Sequence, residues 1–184
     1  MNIVRNMTGI LMTVALLGAC AQQAKEDPAV TSMRAAADSQ TQMLAAVNSW
    51  VAAWDSGNTD GLDAIAAASF ARRAPDRNAD SLDELKALIA DVHKIYPDFR
   101  ITNDATAAGP DGAFVHWTVT GTDSGSEAAT GKPVNLTGIS RYQFVEGKIA
   151  SELVIFDSGE LLKQLGSSAI PHVIPDQAGL TDRD

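Results

Sequence analysis

The stretch "VNLTGISRYQFVEGKIASELVIFDSGELLKQLG", Val134 to Gly166, decides the reading of this chain. It opens with two runs rich in β-branched and aromatic residues, and only "EGK" separates them. So short a connection joins antiparallel neighbours, since a parallel pair needs a crossover of a dozen residues or more. The second run ends on Asp157 and passes at once into the amphipathic "SGELLKQLG". Glu160 follows Asp157 by three positions, the spacing of a helix N-cap and its returning acid. Strand parity places Asp157 with Ile149, Ser151, Leu153 and Ile155, and Glu152 opposite with Val154 and Phe156. Only one of the two acids can therefore face a cavity.

Upstream, "FRITNDATAAG" and "AFVHWTVTGT" have the same strand character, and "GPDG" and "SGSEAATGKP" supply the turns. Before them the period changes to that of helices. Met43, Val47, Trp50 and Trp54 form one stripe that ends at "DSGN". Thr59 or Asp60 can cap a short second helix through "GLDAIAAASF". After "ARRAPDRNAD", whose "DRNAD" reads as a polar loop, Ser81 and Glu84 make a capping box. Leu82, Leu85, Leu88, Ile89 and Val92 then stripe a third helix that stops before Pro97. Three helices, a four-stranded antiparallel sheet and one short helix indicate an α+β domain with helices on one face of a curved sheet.

The flanks are of another kind. Arg5, an apolar run from Met7 to Leu17, and Gly18 and Ala19 before Cys20 have the order of a secretory signal peptide. "LLGAC" resembles the lipobox of bacterial lipoproteins, which implies acylation of Cys20, the sole cysteine, as first residue of the mature chain. The competing reading is an ordinary signal peptide with Cys20 a bystander. Residues 1–19 are thus expected to be the signal, and 20–39, with Pro28 and no apolar period, a flexible tether. The domain occupies 40–166, and 167–184 form an irregular tail that can pack Ile170 and Val173 on the body. The expected location is the bacterial envelope, at the periplasmic face of the outer membrane in a Gram-negative cell.

A net charge of −9 argues against nucleic acid and anionic lipid surfaces as partners, so membrane attachment would be through the lipid anchor only. After residue 20 no run approaches the roughly 18 apolar residues of a membrane span. No histidines, cysteines or acids stand at metal-ligand spacing, and neither a metal nor a cofactor is expected.

Taken together, "VNSWVAAWDSGNTDGLDAI", "YPDFRIT", "HWTVTGTDSG", "TGKPVNLTGISRYQF" and "EGKIASELVIFDSGELLKQLG" resemble the SnoaL-like polyketide cyclases of the nuclear transport factor 2-like superfamily. The resemblance spans roughly 40–166. It implies a cone-shaped fold around a deep apolar pocket for a small hydrophobic ligand or substrate, and a homodimer through the sheet. It also implies a general base at Asp157, which takes a proton from carbon beside a carbonyl. The alternative is a hydrophobic-ligand-binding or interaction lipoprotein without chemistry, which an exported location favours. Asp123 in "GTDSG" departs from the family pattern, where histidine is usual, and Leu153 stands where tryptophan is usual.

Each candidate has a plain counterpart. Asp157 is a base or a helix cap. Trp50 and Trp54 line a pocket or belong to the core stripe. Tyr96, at a helix-to-strand corner, turns its hydroxyl inward or lies half-buried at the surface. His116 shares parity with Phe114 and Thr118 and reaches either the pocket or a polar sheet face. His93 reads as a surface residue. Arg141, mid-strand, is a pocket candidate because a buried guanidinium requires a carboxylate, and Asp157, Asp123 or Glu152 can supply it.

Overall fold

The computed structural model describes residues 27–125 and 129–170. Helix α1 runs over Pro28–Ser56, α2 over Leu62–Ile65, strand β1 over Ala66–Arg73 and α3 over Leu82–Ile95. Strands β2 Arg100–Gly109, β3 Gly112–Thr122, β4 Pro133–Val145 and β5 Lys148–Phe156 follow, then α4 Ser158–Leu165. The sheet has five strands in the order β1-β5-β4-β3-β2, with β1 parallel to β5 and the other pairs antiparallel. The α+β class and the helical region packed on a sheet agree with the sequence reading, and three local expectations are corrected.

First, α1 starts earlier than the stripe indicates, so residues 28–39 are helical rather than tether-like. Asp27 accepts a hydrogen bond from Ala29 N at 2.8 Å, and Pro28 occupies the first helical position, where its missing N–H is no loss. The rest of the expected signal and tether, Cys20 included, lies outside the described residues. So does the tail beyond Ile170, Val173 with it, but Ile170 itself packs against the core.

Second, the second helix is a single turn, and "AAASFARR" is an edge strand. Alanines favour a helix, but buried Phe70 and Arg72 alternate with less buried neighbours, and the strand finds a partner edge in β5. Tertiary pairing overrides the local propensity.

Third, the parity along β5 breaks. Ser151 pairs with Gln143 but Ile149 pairs with Phe144, a β-bulge that leaves Ala150 over. Ile149 consequently points into the core with Glu152 and Val154, while Leu153 and Ile155 stay outside.

The capping box at Ser81 forms with one difference: the returning carboxylate meets the N–H of the residue before the cap. Ser81 Oγ accepts from Glu84 N at 3.2 Å, and Glu84 reaches back to Asp80 N at 2.7 Å. The core fills the space between the helices and the inner sheet face, with Val47, Trp50, Phe70, Leu85, Ile89 and Ile149 fully enclosed. Gly138 on β4 has a specific reason to be glycine: a Cβ there would run into the indole of Trp117, which lies across it. Among the described residues no helix is long and apolar enough to cross a membrane.

Candidate functional site

Pairing registers carry one row of side chains across the inner sheet face: Arg72 on β1, Glu152 on β5, Tyr142 on β4 and Ala113 on β3. Cross-strand neighbours on one face stand close enough for direct contact, so the sheet itself sets Arg72 beside Glu152 and Glu152 beside Tyr142. Above this row is a cavity of about 500 Å³. Its apolar wall includes Trp54, Leu88, Val92, Ile95, Phe99 and Trp117, and Leu161 of α4 and Ile170 of the tail complete it. This volume is within the usual range for small-molecule sites.

Polar groups gather on one side. Glu152, only 4% exposed, accepts hydrogen bonds from Ser140 Oγ at 3.1 Å and Tyr142 Oη at 3.0 Å on Oε1, and from Trp50 Nε1 at 3.4 Å on Oε2. Arg72 Nε stands 3.7 Å from Oε2. Trp117 Nε1 in turn donates to Ser140 Oγ at 3.1 Å, so the cavity's own indole orients a hydroxyl that serves Glu152.

Burial pushes the Glu152 carboxyl above its ordinary value, and the Arg72 charge and the three donors oppose that only in part. The Tyr142 phenol is raised well above its ordinary value by burial first and by the Glu152 charge second. Tyr96, also lining the cavity, is pushed up to about 12 by burial and then by the Asp123 charge. Both phenols therefore keep their protons at neutral pH, and Tyr142 donates its own to Glu152.

A second polar set frames the cavity. The Arg72 guanidinium is held by both oxygens of Asp76 at 3.1 and 3.3 Å and by the carbonyl of Arg77, and lies 5.4 Å from the Trp54 ring centroid. Arg77 pairs with Asp91 of α3 at 3.0 Å. The loop "APDRNA" is thus the charged wall of the cavity and not merely a polar connection.

The structure redistributes the expected site residues. Asp157 is outside the cavity and exposed; its Oδ1 accepts from Glu160 N at 2.9 Å, so it caps α4. Strand parity sends its side chain with Leu153 and Ile155 to the outer face, which leaves Glu152 as the acid that faces inward. Arg141 and His116 also point outward, and His116 lies 3.7 Å from Asp104 on the neighbouring strand. Trp54 and Tyr96 line the cavity. Trp50 does not; it is core, and braces Glu152 from behind.

Asp123 is buried but absent from the lining. Its Oδ2 accepts from Thr130 N at 2.9 Å and its backbone bonds Lys132 and Gly131, so it organises the β3–β4 loop. His93, read as a surface residue, is half-buried, with Nε2 2.8 Å from the carbonyl of Trp54.

Arg72, Ser140, Tyr142 and Glu152 are the residues that sequence reasoning missed as site members. Parity along β4 and β5 already set Ser140, Tyr142 and Glu152 opposite Arg141 and Asp157, and the missing fact there was which face is inner; Arg72 was missed because the sequence reading saw no strand at β1. Among the described residues no three His, Cys, Asp or Glu side chains gather as a metal site.

The family model described as SnoaL-like polyketide cyclase matches residues 44–165. This chain belongs to the SnoaL-like polyketide cyclase family. Comparison with curated proteins gives no match. Among solved structures, TsrD from Streptomyces laurentii is similar at 20% identity, with TM-score 0.62 over 69% of this chain and 96% of that one. AclR from Streptomyces galilaeus is 23% identical, with TM-score 0.59 over 69% and 97%. A protein of ketosteroid isomerase-like fold from Catenulispora acidiphila, solved with trimethylamine, is 17% identical, with TM-score 0.56 over 66% and 92%. At these identities the likeness to each structure is one of fold.

Proposed function

We propose that this SnoaL-like domain binds a small, mostly apolar carbonyl compound and moves a proton at the carbon beside the carbonyl, with Glu152 as the base. The observation that carries the reading is a fully buried carboxylate in the wall of an apolar cavity, its pKa raised by that burial. Desolvation makes such a carboxylate a stronger base than one in water, and its value moves toward the pH at which it must work. In the step, Glu152 takes the proton while the C–H electron pair passes into the carbonyl, leaving an enolate oxygen that a neighbouring donor must hold. The enolate carbon then closes onto a second carbonyl of the same molecule, whose oxygen takes the proton from Glu152 as the hydroxyl forms, or takes that proton back at another position.

A second reading, ligand binding without chemistry, draws on the same geometry. Both oxygens of Glu152 already accept hydrogen bonds, which suits a fixed polar anchor as well as a base.

Exchange of the α-hydrogens of 2-decalone in deuterated buffer separates the two. The native protein is expected to accelerate exchange, Glu152→Gln to lose most of a contribution of about 10²–10⁴-fold, and Asp157→Asn to keep it. Exchange no faster than buffer in the native protein supports binding alone, and loss in Asp157→Asn with retention in Glu152→Gln overturns the assignment of the base.

The wider setting is part of the proposal. The signal-like order before Cys20 supports a lipid-anchored envelope protein. Mass spectrometry of the mature chain should find diacylglycerol on Cys20, and an unmodified water-soluble chain would refute it. A homodimer through the outer sheet face is supported by the apolar side chains exposed there, Phe114, Ile139, Leu153 and Ile155.

A further inference from the structure

The cavity is longer than one carbonyl group needs. Tyr142, Ser140, Leu136 and Val134 of β4 all line it, so it follows that strand over the eight residue steps from 142 to 134, about 26 Å before any bend is allowed for. Glu152 stands at one end, paired with Tyr142. Tyr96 stands at the other: its Cβ and ring edge pack on Gly121, and Gly121 pairs with Val134. The wall between them, with Val119 and Val154, is apolar.

Tyr96 is only 9% exposed, yet its hydroxyl makes no hydrogen bond among the described residues. The oxygen is not sealed in the protein either. The enclosed polar atoms without a partner are Arg72 Nε and Asp123 Oδ1, and Tyr96 Oη is not one of them. It therefore keeps accessible surface, and the cavity that Tyr96 lines is where an acceptor can meet it. Burial, and then the Asp123 charge, push the phenol up to about 12, so the proton stays on and the group is a donor. Its place is fixed from behind, since even a Cβ on Gly121 would stand 3.1 Å from the Tyr96 Cβ.

The geometry points to Tyr96 as a second polar anchor, remote from Glu152, whose hydroxyl donates to a neutral oxygen at the far end of an elongated apolar ligand. This assignment rests on reading the cavity as a ligand site and goes further, giving the ligand a length and a second oxygen. Allowing for both side chains and the bend of the sheet, the two anchors are on the order of 10 Å apart. An anionic group is disfavoured at the far end. The Asp123 charge already reaches the hydroxyl, and the lining cations, Arg72 and Arg77, belong to the β1 side with Glu152. A carbonyl oxygen only satisfies the idle donor.

The test uses 4,4′-bicyclohexanone, whose two ketone oxygens lie about 10 Å apart at opposite ends, and bicyclohexyl, the same skeleton without oxygen. Affinity is read from tryptophan emission, since Trp54 and Trp117 line the cavity. The native protein is expected to bind the diketone tighter than the hydrocarbon. Tyr96→Phe removes only the hydroxyl, and should weaken the diketone roughly three- to tenfold, the gain of one neutral hydrogen bond, with bicyclohexyl affinity retained. Its melting temperature should not fall, because the lost group has no partner in the free protein. Should the variant not fold, the Cζ resonance of Tyr96 decides: with two tyrosines in the chain it can be assigned, and it should shift with the diketone and not with bicyclohexyl. In α-exchange, Tyr96→Phe should raise KM for the diketone and leave 2-decalone, too short to reach both anchors, unchanged.

Equal affinity for diketone and hydrocarbon, a diketone affinity that survives Tyr96→Phe, or a matching loss of bicyclohexyl affinity overturns the assignment. An equal loss of 2-decalone exchange would place Tyr96 beside Glu152 and overturn it too. The proton reading fails separately: Tyr96-dependent affinity without α-exchange leaves the anchor standing, and exchange with affinity indifferent to Tyr96→Phe leaves Glu152 as base but removes Tyr96 from recognition.

Discussion

Two acids five positions apart on one segment, Glu152 and Asp157, have opposite fates, and burial alone separates them. Glu152 is enclosed and its pKa is raised from an ordinary value near 4.5, so in the folded state the charged form is the disfavoured one. The sign follows from linkage. Stability from this group is fully present below the unfolded value and is lost as pH rises through the higher folded value. Glu152→Gln imitates the protonated acid, so in urea titrations the native protein should lose stability relative to the variant as pH climbs above about 4.5, with the two running parallel below it. A difference that instead moves in the variant's disfavour with rising pH would show that Arg72 outweighs burial. The same titration should appear in catalysis, as an acid limb whose midpoint lies above the ordinary carboxylate value.

Asp157, by contrast, is a cap on α4. Asp157→Ala is expected to cost about 1 kcal/mol, Asp157→Asn far less, and neither should change 2-decalone affinity. Ligand affinity that falls with Asp157→Asn at unchanged stability would return this residue to the site.

Among the elements, α1 divides into two parts with different physical support. Ala46, Val47, Trp50, Val51, Ala53 and Trp54 are buried, while residues 28–42 are exposed throughout and Gln40 reaches the sheet through one hydrogen bond to Ala108 O at 3.0 Å. An exposed helical segment depends on propensity, which is marginal over a dozen residues, whereas the packed half is held by the core. Hydrogen exchange should therefore be fast over 29–39 and slow over 46–56, with protection differing by orders of magnitude. Uniform protection along α1 would mean that the first half has a packing partner of its own.

Strand β1 is the other element with a functional consequence. Its register with β5 is what sets Arg72 against Glu152, and "ARRAPDRN" gave no periodic sign of it because so short an edge strand turns few residues inward, here Ala66, Phe70 and Arg72. Legibility varied with how local the cause was. The caps at Ser81 and Asp157 depend on residues three positions apart and were readable. The bulge at Ala150 depends on pairing with β4 and was not.

At the scale of the whole molecule, the sheet has an inner face that makes the cavity and an outer face with an apolar row. Ile155 is 60% exposed and Ile139 46%, and the two are paired across β4 and β5 with Leu153 and Phe114 nearby. A dimer through this face would explain them, and light scattering should give twice the chain mass for the native domain. Ile139→Lys with Ile155→Lys should give a folded monomer that still binds 2-decalone, since neither residue lines the cavity. A native monomer at high micromolar concentration would leave the row as ordinary exposed apolar surface.

The sequence by itself determined the α+β class, the capped helices, the antiparallel run of β2 to β5 and the family, because each follows from periodicity, turn chemistry or motif order along the chain. It also determined that Glu152 and Asp157 oppose one another and that Arg141 opposes Tyr142, because alternation is a property of the strand. Only the tertiary structure decided which side of that alternation is inside. A strand carries two faces of similar apolar content here, Ile139 and Ile155 against Leu136 and Val154. The helices cover one of them, and that choice put Glu152 rather than Asp157 inside, with Arg72 rather than Arg141 beside it.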